Sequence, residues 1–71
     1  MSEAPAKVRH FATVILILNG MHYVRLADGR RAHIPAQELD GITFRPGERV
    51  SLSVIQRGDH QLVAYDVEPV E

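Results

Sequence analysis

Residues 22–35 read HYVRLADGRRAHIP, and the fold of this stretch decides the reading of the whole chain. Val24 and Leu26 alternate with Tyr23 and Arg25, and Ala32 and Ile34 alternate with Arg31 and His33. A period of two belongs to a strand with one buried and one wet face. Asp28-Gly29, between the two halves, is a hairpin turn signal. The stretch therefore predicts two antiparallel strands, apolar on one side and carrying Tyr23, Arg25, Arg31 and His33 on the other. Pro35 stops the second strand, because it has no N–H for a ladder.

Upstream, residues 8–18 have strand character, with Thr13-Val14-Ile15 all β-branched. Asn19-Gly20 is a further turn signal. Downstream, PAQELDG (35–41) carries proline at its start and glycine at its end, which predicts one or two helical turns. RPGE (45–48) sets proline before glycine, as a type II turn requires. Residues 49–56 alternate again, with Val50, Leu52 and Val54 inward. RGD (57–59) reads as a turn, and residues 60–67 as a last strand ended by Pro69. In that strand Leu62 and Ala64 share one face and Val63, Tyr65 and Val67 the other, so either could face the core. The expected organisation is a flexible N-terminal arm over 1–7, a folded domain over 8–68 and a short tail over 69–71.

Composition excludes several functions. Seventy-one residues allow one domain, and without cysteine neither a disulfide nor a thiolate metal site can support it. His10, His22, His33 and His60 fall on different predicted elements with no metal-ligand spacing, so no metal or cofactor is expected. There is no nucleophile elbow and no phosphate-cradling glycine loop, so we expect a non-enzymatic protein with no small-molecule substrate. The longest apolar run, Val14–Leu18, is five residues, against about 20 for a membrane span. The first ten residues, MSEAPAKVRH, hold no apolar signal core, and the expectation is a cytoplasmic protein away from membranes. The net charge of −1 rules out a strongly basic polyanion binder, so any such binding must come from a local patch. One exists. Residues 22–33 hold three arginines against Asp28, whereas residues 59–71 hold four carboxylates and no lysine or arginine.

Five short strands in so short a chain predict an all-β protein, closed into a small barrel that removes its edges. One short helix between strands three and four is the order of the OB-type five-stranded barrel; an SH3-like barrel is the main rival and usually lacks a helix at that point. Residues 12–67 resemble known families on that fold. NGMHYVRLADG (19–29) and AHI (32–34) resemble bacterial translation initiation factor one and the RNA-binding OB domains of ribosomal protein S-one type. AHIPAQELDGITFRPGERVSL (32–52) resembles the OB domain of the Nus-type elongation factor, and His33 falls near an RNA-contacting motif of cold-shock domains. The chain departs from the initiation-factor pattern in PAQELDGITFRPGE (35–48), which is shorter and acidic, and in the acidic DVEPVE at its end.

The resemblance implies single-stranded RNA as ligand, with single-stranded DNA as the other possibility, and the ribosome or RNA polymerase as the setting. On OB barrels strands two and three form the usual binding face. Tyr23, Arg25, Arg31 and His33 are therefore the expected RNA-binding residues, and Arg9, His22 and Arg30 the additional contacts. Phe11 and Phe44 are expected to pack in the core or at its rim. Val14–Leu18 does not alternate. It reads either as a long coiled strand serving both halves of a barrel or as an outward patch. The second reading makes Leu16 and Ile17 a protein interface and the domain a protein-docking module.

Overall fold

The computed structural model describes residues 8–39, 41–59 and 61–70. The arm expected over 1–7, His60, Asp40 and the last residue of the tail lie outside these. Five strands, β1 (His10–Leu18), β2 (Met21–Leu26), β3 (Arg31–Ile34), β4 (Arg49–Arg57) and β5 (Gln61–Pro69), form one closed barrel in the order β1-β2-β3-β5-β4. The architecture is the small OB-type barrel. Every neighbouring pair is antiparallel except β3 and β5, which meet in parallel at His33 and Val63.

The turns take the forms their residues allow. Asn19 and Gly20 both have positive φ, +52° and +77°, the mirror-image turn that matches strand twist in a two-residue hairpin. The β2–β3 turn is a residue longer. Gly29 N–H donates to Leu26 C=O at 2.9 Å and Leu26 N–H to Arg30 C=O at 2.7 Å, with Gly29 at φ +95°. Glu48 N–H donates to Arg45 C=O at 3.0 Å, with Gly47 third in that turn, as the Pro-Gly pair predicts. Between β3 and β4 the expected helix is a single 3-10 turn, Ala36–Glu38. Between Pro35 and Gly41 there is too little chain to offset the cost of nucleating an α-helix.

Two bulges shape the barrel. The β1–β2 register skips between Val14 and Leu16, making Ile15 an extra residue. Val14 is buried, Ile15 and Leu16 both face out, Ile17 packs against the core and Leu18 is exposed. The unbroken apolar run of β1 is thus a coiled strand that pairs with β4 over His10–Thr13 and with β2 over Ala12–Leu18. It also leaves apolar side chains outside. The second bulge lies in β5, where the register skips between Ser51 and Ser53 and Asp66 adopts φ +56°. Before it Leu62 and Ala64 face in; after it Val67 does.

The core is what the alternation predicts: Val14, Val24, Leu26, Ile34, Val50, Leu52 and Ala64 have almost no exposure. Leu39 and Phe44, from the β3–β4 connection, are buried with them. With so few apolar side chains each one matters. Leu52→Ala removes a fully buried side chain and should cost roughly 2–5 kcal/mol, a large part of a small domain's stability. Urea denaturation should show a midpoint shifted far down at an unchanged slope.

Candidate nucleic-acid interface

β2 and β3 are in register so that residues of like parity face each other: Tyr23 opposite His33, and Arg25 opposite Arg31. All four point away from the core. The Tyr23 and His33 rings are 6.4 Å apart between centroids and tilted by 48°, a joint platform of two rings. Arg25 and Arg31 are exposed, and neither has an ion-pair partner among the described residues. Like charges directly opposite each other weaken a sheet. Here two guanidinium groups sit in that relation without a carboxylate between them. The sequence expected these four residues on one outer face, and they are brought together there.

The three additional contacts are placed differently. His22 is 2% exposed and faces inward, so it offers no ring to a ligand. Its parity is that of Val24, not that of Tyr23. Nε2 accepts the backbone N–H of Phe44 at 3.1 Å, and its ring meets Phe44 edge-on at 6.0 Å. Nε2 is therefore unprotonated, and the proton of the neutral ring is on Nδ1, the one buried side-chain nitrogen or oxygen without a partner among the described residues. His22 is a peg that holds the β3–β4 connection against the barrel.

Arg9 is a clamp. Its guanidinium donates to the carbonyl oxygens of Asp66 (2.7 Å) and Ser51 (2.9 Å) and to both Ser51 Oγ and Ser53 Oγ, and it pairs with the Asp66 carboxylate at 3.4 Å. These bonds tie the bulge of β5 to β4. Arg30 is held by Asp28: Nε donates to Oδ2 at 2.8 Å and the backbone N–H to Oδ1 at 3.0 Å. Of the arginines in the hairpin, Arg25 and Arg31 remain free of such partners.

The Asp28 carboxyl is held below its ordinary value, first by the backbone N–H of Arg30 and then, against a weaker opposing effect of desolvation, by its guanidinium and by His10.

Three outward residues were not singled out in the sequence as contacts. Phe11 is 54% exposed, though expected to pack; its parity, set by buried Ala12, already placed it outside. Arg49 lies over its ring at 5.9 Å. Tyr65, left open by its two-faced strand, turns outward and borders a groove of about 560 Å³ with His33, Ile55, Arg57 and Val63. Among the described residues no three His, Asp or Glu side chains converge in a way that could hold a metal ion, and no helix is long and apolar enough to cross a membrane.

No protein-family model matches the chain, and no curated protein matches it in sequence.

Two measurements check this geometry. His22→Leu keeps bulk but leaves the Phe44 N–H without an acceptor, so stability should fall by about 1–3 kcal/mol. By NMR the Asp28 carboxyl should titrate below the ordinary aspartate value. A depressed carboxyl stabilises the fold in full above that ordinary value and loses the effect as pH falls through the lowered one. The Asp28–Arg30 anchor of the β2–β3 turn should weaken only in that acid range.

Proposed function

We propose that this chain is a non-enzymatic OB-type module that binds single-stranded RNA across β2 and β3. The observation that carries this reading is the pairing of Arg25 with Arg31 one step from the pairing of Tyr23 with His33. Two residues along a strand is roughly 6.6–6.8 Å. A row of rings thus runs beside a row of cations at about the offset between a base and its phosphate. Rings accept any base by stacking, and guanidinium groups accept phosphate oxygens. On the resemblance of residues 12–67 to initiation factor one and to S-one type domains, we assign the module to bacterial-type translation. Transcription is the other setting, on the likeness of residues 32–52 to the Nus-type factor.

A second reading has an observation of its own. On β1, Leu16 and Leu18 are about half exposed, and Ile15 more than a third. An apolar surface of this kind suits a protein partner such as a ribosomal protein or a polymerase subunit. Leu16 is available for that contact, whereas Ile17, expected beside it, packs against the core.

Fluorescence anisotropy with short RNA oligomers at several salt concentrations tests the first reading. Binding should be modest and fall as salt rises. Arg25→Ala and Arg31→Ala should each weaken it and lower the log–log salt slope by about 0.7. Tyr23→Ala should cost about 1–3 kcal/mol. Wild-type binding by both arginine variants would rule the face out. For the second reading, Leu16→Ser should abolish co-purification with ribosomal or polymerase proteins, and because Leu16 pairs with Tyr23 its effect on RNA binding is measured alongside. Unchanged co-purification would count against it.

A further inference from the structure

The arginine row does not stop at β2. Thr13 of β1 pairs with Arg25 on one side and with Arg49 of β4 on the other. Arg49, Thr13, Arg25 and Arg31 therefore lie on one line across four adjacent strands, all facing outward. Neighbouring strands are roughly 4.8 Å apart, so Arg25 and Arg49 leave the sheet about 10 Å from one another across Thr13. They border one open basin of about 470 Å³, with Phe11, Thr13 and Ile15 in its wall.

Phe11 is 54% exposed, whereas Phe44 is 4% exposed; a phenyl ring has no polar tip to repay contact with water. Arg49 holds it by cation–π contact at 5.9 Å. Neither Arg25 nor Arg49 has an ion-pair partner among the described residues, while Arg9 and Arg30 each have one. Asp28, in the β2–β3 turn next to this basin, is occupied by Arg30. An exposed ring with Arg49 on one of its faces, two guanidinium groups without a carboxylate partner among the described residues and a hydroxyl, with no carboxylate in the basin wall, are suited to a ligand with a flat apolar face and a phosphate.

We propose that Phe11, Thr13, Arg25 and Arg49 form a second nucleotide subsite, in which a base stacks on Phe11 and its phosphate lies between Arg25 and Arg49. This rests on the RNA reading given above, and extends it from β2 and β3 over β1 onto β4. Arg25 belongs to both subsites and joins them. The bound strand crosses the β-strands along the arginine row, so affinity depends on the length of the oligomer and not only on its presence.

The test is a length series of oligouridylates, from two to eight nucleotides, titrated against the full chain by anisotropy at several salt concentrations. Wild-type affinity should rise with length until both subsites are filled. Phe11→Ala and Phe11→Leu should lose about ten-fold on the long oligomers, and Arg49→Gln should lower the salt slope by about 0.7. The three variants should bind the shortest oligomer that Tyr23→Ala weakens as wild type does. Both Phe11 and Arg49 are exposed, so melting temperatures should stay at the wild-type value, and the Leu variant controls for bulk. If these variants bind long oligomers like wild type while Tyr23→Ala does not, the second subsite is wrong and the RNA reading stands. If no oligomer binds at any length, both fall. Binding of a polyglutamate peptide in preference to oligouridylate would overturn the subsite as a nucleotide site.

Discussion

Closure of the sheet is the constraint on which everything else depends. A flat sheet of five strands would leave two edges with unpaired backbone groups. Here β1 reaches past its hairpin partner to pair with β4, and β3 meets β5 in parallel. Once closed, the barrel has one inside, filled mainly by valine, leucine, isoleucine and alanine side chains, and residues of opposite parity turn away from it, Ser53 among them though covered by Arg9. The register then decides which outward residues become neighbours. Arg25 faces Arg31, and Tyr23 faces His33, because a two-residue and a three-residue turn set β1, β2 and β3 to that alignment.

The cations divide by what they touch. Arg9 and Arg30 are tied to backbone carbonyls and carboxylates and serve the fold. Arg25, Arg31 and Arg49 stand along a single row with no carboxylate partner among the described residues. Counting charges along the chain could not make this distinction. Arg30 and Arg31 are adjacent in sequence, yet one closes a turn and the other faces outward beside Arg25.

Much of this was legible in the sequence because it is local. Strict alternation assigned Val24, Leu26, Ala32, Ile34, Val50, Leu52 and Val54 to the inside, and turn residues marked the hairpin ends. The four residues expected on the outer face of β2 and β3 are found there. What failed was either misread or long-range. His22, expected as an additional RNA contact, shares the parity of Val24, which sends it inward. The bulges at Ile15 and Asp66 are set by pairing across the barrel and leave no local mark. Arg9 finds its partners 42 to 57 residues away, a distance over which no pattern in the chain can be read. Phe11, expected in the core or at its rim, has the parity opposite to buried Ala12, which sets it outside.

The joining of β1 to β4 also bears on how the chain assembles. β1 and β2 are linked by a two-residue turn and can pair as soon as both are made. The second partner of β1 lies some 40 residues further on, and the Arg9 clamp needs residues further still. During synthesis the early hairpin must therefore wait with the His10–Thr13 edge of β1 unpaired and the inward side chains of its apolar run, Val14 and Ile17, uncovered. Closure over such sequence distances makes folding slow for so small a domain. Aggregation during that wait is the hazard, and it falls on the segment Val14–Leu18, which carries no charge to oppose it.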